Sequence, residues 1–465
     1  MKTPPLFHSR RELLRHAACG FGALAFNGLF ASNAPVENPL LPKKPHFPAR
    51  AKRVIFLFMC GGPSQVDTFD FKPALTKRHN EPTAKGSPNL YYQSPWEFKQ
   101  HGQSGLAISS LLPNMARHAD DLCVINSMHT DHAAHPQAIL QMNTGSFLFT
   151  RPSVGAWVTY GLGSENQNLP GFITISPDFA AGGAQKHGSA FLPAACGGTQ
   201  IGDGGPGNGQ PPQPLKDVTL PFMRNEKLDL TAQQHQLDLL QALNRERLRR
   251  DVQNEALEGM MNSAELAFHM QREMPEVMDL AKEDTRTREM YGIGDGKITD
   301  HYGRACLMAR RFAEAGVRFI QVNHGFWDDH TDIVKNHPMH AGQTDQPVAA
   351  LLTDLKQRGL LEDTLVLWGG EFGRPPILNK NKGREHDNVG FTMWLAGGGA
   401  KPGARYGSTD ETGFKAEHNK VHLHDLHATM LHLLGLDHER LTYRYGGRDF
   451  RLTDVSGKVV KGVIA

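Results

Sequence analysis

Val54-Ile55-Phe56-Leu57-Phe58-Met59 runs directly into Cys60-Gly61-Gly62-Pro63, and the fold turns on this stretch. Side chains alternate across a sheet, so an unbroken apolar run cannot be a strand with one wet face. It predicts a strand buried on both faces, followed by a tight turn at its carboxyl end. Short apolar runs recur at Leu122–Ile125, Phe172–Ile175, Arg318–Val322, Thr364–Trp368 and Phe391–Ala396. Segments with helical spacing lie between them: Leu111–Asp121, Pro136–Asn143, Ser153–Leu162, Gly303–Ala315, Pro347–Arg358 and His424–Leu434. Strands alternating with helices predict an α/β fold, with a mostly parallel central sheet flanked by helices on both faces.

The chain has 465 residues, of which 39% are hydrophobic and 21% charged, enough for a large core and too apolar for global disorder. Lys+Arg is 50 against Asp+Glu 48, a balance that excludes a dedicated nucleic-acid binder. No run of about 18 apolar residues exists, so no ordinary transmembrane segment is expected. Ser9-Arg10-Arg11-Glu12-Leu13-Leu14-Arg15 precedes a weakly apolar stretch, Ala17–Ala31. That is the pattern of twin-arginine export, a route for folded proteins, and it predicts a periplasmic or extracellular location. The expected organisation is a signal over 1–34, a linker over 35–50 and one domain over 51–465. Within that domain a Gly/Pro-rich loop insertion is expected at about 177–225 and a helical insertion at about 231–290, with Thr231–Met274 as its amphipathic block. Cys60, Cys123, Cys196 and Cys306 are compatible with two disulfides or with buried free thiols, and no C-x-x-C pair marks a cysteine zinc site.

Ligands of such sheets collect at the carboxyl ends of the strands. There stand Ser64, Asp67 and Asp70; His129, Asp131, His132 and His135; His324, Asp328, Asp329 and His330; and Glu371 with Arg374. Arg384, Glu385, His386 and Asp387 stand just before the Phe391 strand. Converging Asp, Glu and His without cysteine suit one or two divalent ions, Zn²⁺ or Mn²⁺, with Ca²⁺ also admissible. Such an ion would polarise an ester oxygen and activate water.

The residues Gly61-Gly62-Pro63-Ser64, Arg151-Pro152-Ser153-Val154-Gly155-Ala156-Trp157, Gly370-Glu371-Phe372-Gly373-Arg374-Pro375 and Trp394-Leu395-Ala396-Gly397-Gly398-Gly399 resemble a sulfatase-like exported family, domain of unknown function 1501. That family is placed in the alkaline phosphatase-like superfamily, and the closing run His424–Leu436 is similar to a sulfatase segment. The resemblance implies metal ligands at Asp67, Asp328, His330, Glu371 and His386, with His337 or His340 as alternative partners for Asp328. It also implies that Glu371-Phe372 keeps the carboxylate of an Asp-His metal pair and loses the imidazole. Sulfatases carry Cys or Ser ten residues before the glycine of a Thr-Gly pair, and counting back from Gly145 reaches His135. The formylglycine route is thereby closed. His135 is then either a covalent nucleophile or, with His132, an acid–base partner to a metal-activated water; Ser64 and Thr130 are spare hydroxyls. Arg374 and Arg384 are expected to clamp a sulfate or phosphate.

The function so implied is an exported metal-dependent hydrolase acting on a small-molecule or polysaccharide ester of sulfate or phosphate. Its rivals are a non-catalytic relative that binds anionic polysaccharide or a partner protein, and a phosphoryl transferase or mutase.

Overall fold

The run around Ile55 forms strand β1 (Arg53–Met59), every residue of which is buried. In the computed structural model, which describes residues 38–177, 183–202, 215, 227–250, 255–325 and 327–465, β1 lies inside a nine-stranded sheet. The other strands are β2 (Leu122–His129), β3 (Phe172–Ile175), β4 (Thr199–Ile201), β5 (Phe319–His324), β6 (Thr364–Gly369), β7 (Phe391–Ala396), β8 (Ala404–Tyr406) and β9 (Val421–His422). Their order is β8-β2-β7-β6-β1-β5-β3-β4, with β9 on β2. Parallel pairing joins β1 to β5 and β6, with Ile55 opposite both Ile320 and Val366. Only β7 runs against its neighbours, antiparallel to both β6 and β2. Its amino end therefore lies on the edge where the other strands finish.

The longer helices are α1 (His135–Thr144), α2 (Val154–Leu162), α3 (Leu230–Arg250), α4 (Glu255–Met278), α5 (Asp300–Glu314), α6 (Ile333–Gln357) and α7 (Leu423–Leu433). Ile55, Leu57 and Met59 pack into a core cluster with Leu307 and Phe312 of α5 and Leu351 and Leu355 of α6. Val54, Phe56 and Phe58 pack on the opposite face with Trp157 of α2 and Leu426 and Met430 of α7. Both faces of β1 are thus removed from water, at about 1.5–3 kcal/mol for each large side chain. This is why its sequence carries no polar break. The expected α/β class, a mostly parallel sheet with helices on both faces, is the one adopted.

Boundaries differ in places. Leu111–Asp121 is not one helix; a 3₁₀ segment begins only at Met115. Pro113 has no amide hydrogen, and Asp345 of α6 takes the N–H groups of Asn114 (2.9 Å) and Met115 (2.8 Å), fixing the turn from outside. The helix expected from Pro347 begins at Ile333 and holds Pro338 and Pro347 inside it. The burial of its apolar face outweighs an interior proline's cost of about 3 kcal/mol. The Thr231–Met274 block is two helices, α3 and α4.

By contacts the chain divides into two compact units, 1–38 with 225–265 and 39–224 with 266–465, and the second carries the sheet. Within the first, Gln241 Nε2 donates to Met261 O and Glu265 Oε1, both at 3.0 Å. The twin-arginine segment lies outside the described residues. Cys60, Cys123, Cys196 and Cys306 are buried and joined by no disulfide. Burial pushes the Cys123 and Cys196 thiols up to about 12, so they behave as small apolar side chains. No described helix is long and apolar enough to cross a membrane.

Candidate metal centre

Four side chains from two loops and one helix end meet at the carboxyl edge: His135, Asp328, His330 and His386. His135 is the first residue of α1. Asp328 and His330 follow β5, and His386 precedes β7. Gly61 makes the approach of Asp328 feasible. Its φ is +108°, and a Cβ there would stand 2.6 Å from the Asp328 amide nitrogen.

Asp328 Oδ1 is the hub. It lies 3.1 Å from His135 Nε2, 3.0 Å from His330 Nε2 and 3.2 Å from His386 Nε2. Each imidazole is held from behind through Nδ1. His135 Nδ1–H donates to Glu371 Oε1 at 2.6 Å, His330 Nδ1–H to Glu385 Oε2 at 2.9 Å, and His386 Nδ1–H to Ala133 O at 2.6 Å. Those acceptors take the Nδ1 protons and turn all three Nε2 atoms to one carboxylate oxygen, so a cation taking the place of the Nε2 hydrogen bonds would meet three nitrogens and one oxygen. His330 Nε2 and His386 Nε2 lie 2.8 Å apart, a hydrogen-bond separation in which one ring donates and the other accepts. Around a tetrahedral ion with bonds of ~2.0–2.1 Å the donor–donor edges would be ~3.3–3.4 Å; the three Asp328 contacts of 3.0–3.2 Å are near that, the His330–His386 contact of 2.8 Å is shorter, and all four donor atoms lie within 4.8 Å of one another. The donor set therefore fits a divalent ion.

Burial opposes the charge on Asp328, but hydrogen bonds from His135 and His386 and the Arg374 guanidinium drive its carboxyl far below the usual range. Burial likewise opposes a proton on His135, yet Asp328 and Glu371 raise it to about 9. His330 is lowered, first by burial, with Arg374 and His386 adding to the effect. In the ion-free protein, then, a proton on His135 substitutes for the cation. Metal binding must displace it, and affinity is expected to rise about tenfold per pH unit up to about 9. Calorimetric titration with Zn²⁺ across that range checks this; a flat profile would contradict it.

The other residues expected at the site stand elsewhere. Glu371 is not a first-rank donor. It is fully buried, accepts from Gly61 N–H at 2.9 and 3.2 Å, and positions His135. Asp67 is paired with Arg384, its oxygens 2.8 Å from Nε and 3.2 Å from Nη2, and all four atoms are inaccessible to an ion or a substrate. Ser64 is buried and donates to Asp67 at 2.6 Å, so its hydroxyl is no spare nucleophile. Arg374 and Arg384 are both fully buried, which removes them as a clamp. Arg374 donates to Asp328 at 2.6 Å and to the Gly62 carbonyl at 3.0 Å; Arg384 also donates to Pro375 O and Tyr92 O. His132 lies apart from the cluster, its Nδ1 accepting from Ala134 N–H at 3.1 Å. His337 donates from Nδ1 to Asp329 at 2.5 Å and accepts from Ser64 N–H at Nε2, which leaves it no lone pair. His340 faces Asp329, not Asp328, at 3.4 Å. Despite burial, His337 and His340 hold the Asp329 carboxyl down at about 2.

Two contributors were not assigned a role from the sequence. Glu385 is the rear anchor of His330, and its adjacency to His386 was the available signal. Phe372, where the resemblance expects an imidazole, packs its ring 4.8 Å from His135 and 4.6 Å from His386 as an apolar wall. Glu371→Gln is expected to weaken metal binding about 10–100-fold. The amide can donate to His135 Nδ1, moving the proton to Nε2 and removing that lone pair. Competition against a chelator measures the effect; unchanged affinity would reject the positioning role.

A family model described as "Protein of unknown function (DUF1501)" matches residues 51–464. No curated protein matches the chain. Solved structures similar to it include the lipoteichoic acid synthase LtaP from Listeria monocytogenes, at 10% identity and TM-score 0.39, covering 92% of this chain and 80% of that one. The PsFucS1 sulfatase from Pseudoalteromonas sp. is 13% identical, with TM-score 0.34 and coverage of 83% and 68%. An alkaline phosphatase from the Antarctic bacterium TAB5 is 11% identical, with TM-score 0.31 and coverage of 84% and 99%. At these distances no residue role passes from them to this chain.

Proposed function

The chain belongs to the DUF1501 family, and on that premise we propose that it is an exported, metal-dependent hydrolase of sulfate or phosphate esters. The supporting observation is the set of three rear-anchored imidazoles turned toward Asp328 Oδ1. A divalent ion held by His135, Asp328, His330 and His386 would supply Lewis acidity to an ester oxygen and lower the pKa of an attacking water. Three nitrogens and one carboxylate favour Zn²⁺ or Mn²⁺ over Ca²⁺, which takes six to eight oxygens. A single such cluster exists among the described residues, which favours one ion.

His135 would serve as a donor, its Nε2 turned to Asp328 and its Nδ1 tied to Glu371. It is therefore assigned to holding the ion and not to a covalent intermediate. Because His135 opens α1, the positive end of that helix lies beside the cluster and favours an anionic group there. That pole takes the part expected of the two arginines, which are buried. Phe372 keeps water from one side of the imidazoles.

The test is to purify the folded protein, measure its metal, and assay aryl sulfates and aryl phosphates before and after chelation. Protein that stays inert after reconstitution with Zn²⁺, Mn²⁺ and Ca²⁺ would end the hydrolase reading. The burial of Arg374 and Arg384 favours a second reading, a non-catalytic binder of anionic polysaccharide or of a partner protein. Calorimetry with sulfated glycans separates the two: the binder gives heat without product. Export is tested by cell fractionation with and without Arg10-Arg11.

A further inference from the structure

We infer that Ser176 is a nucleophile of this chain, independent of the metal centre and activated by His301 toward small carboxylic esters. Ser176 follows β3 directly and adopts φ +50°, the left-handed region that residues with a Cβ rarely enter. Pro177 comes next and restricts it further. Its amide still donates to Ile201 O at 2.8 Å, as the ladder requires. The kink brings Ser176 Oγ to 3.1 Å from His301 Nε2.

His301 is the second residue of α5 and is half-buried, whereas Ser176 is buried at 2% exposure. With the ring proton on Nδ1, Nε2 accepts from the hydroxyl, the arrangement by which a histidine activates a serine. Strain held at a strand end, aimed at a base, is what a functional site maintains and a packing serine does not need. The pair stands on the same sheet edge as the metal centre, since Ile175 pairs with Val322 of β5, but it shares no residue with it.

In the reaction, Oγ bonds to the ester carbonyl carbon while His301 Nε2 takes the hydroxyl proton. The carbonyl–oxygen single bond breaks, and His301 returns the proton to the departing alkoxide. Water then attacks the acyl-serine with its proton passing through His301, releasing the acid and restoring Ser176. The near-complete burial of Ser176 restricts the acyl group to a small one.

A small fluorophosphonate is the probe: Oγ bonds to phosphorus, fluoride leaves, and the adduct is mapped by peptide mass spectrometry. Wild-type protein is expected to carry the adduct on Ser176, at the same rate in excess chelator. Ser176→Ala should take up none, and His301→Gln should label at least about a hundredfold more slowly. An unlabelled wild type, an adduct on another residue, labelling lost with chelator, or a wild-type rate in His301→Gln would each overturn the inference. The mapped adduct needs no variant to fold, and the chelator arm keeps this outcome separate from that of the metal-dependent hydrolase.

Discussion

His386→Ala is expected to lower metal affinity by at least about two orders of magnitude while the protein still folds. Loss of an outer partner alone typically costs 10–100-fold, and His386 supplies a donor atom itself. Its Nε2 is one of three ring nitrogens around Asp328 Oδ1, and no other described side chain belongs to the cluster. The ring is partly exposed and belongs to neither core cluster, so its removal takes little from the fold. Metal content after dialysis, read beside circular dichroism, gives the answer. Full metal content in a folded variant would remove His386 from the centre and with it the case for an ion at this edge.

Arg384→Ala should do the reverse. Asp67 and Arg384 are both fully buried and bonded twice to each other, at 2.8 and 3.2 Å. Removing the guanidinium strands a carboxylate in the interior, at a cost of about 3–5 kcal/mol. Arg384 also closes the carbonyls of Pro375 and Tyr92, so the loss extends to the turn that carries His386. Urea unfolding measures the shift. Replacing both partners, Asp67→Asn with Arg384→Met, should cost less than Arg384→Ala alone, because no charge is left unpaired. A substrate clamp would instead leave stability unchanged and raise KM. That result would restore the role first expected for Arg384.

Much of the candidate site was legible because loop residues at strand ends are brought together by any sheet of this kind. Asp328, His330 and His386 were marked on that ground as donors, whereas His135 was marked from the sulfatase resemblance as a nucleophile or acid–base group and not as a donor. The roles of neighbouring groups were harder to read. Asp67, Glu371, Arg374 and Arg384 are the same kinds of residue as the donors, and whether such a group meets an ion or another side chain depends on burial and partner distance. Sequence spacing carries neither quantity. Glu371 stands one layer behind His135 because Gly61 N–H already occupies its oxygens.

By itself the sequence determined the α/β class, the doubly covered central strand and the edge on which chemistry gathers. Those follow from alternation and apolar content, which are properties of local segments. Only the tertiary structure decided the rest. The reversal of β7 carries His386 to the edge where the parallel strands end, and a parallel β7 would have left it on the far side. Rear acceptors then turned three imidazoles toward one carboxylate, and burial turned two arginines inward. These outcomes depend on which distant segments touch, and contact between distant segments is settled by packing.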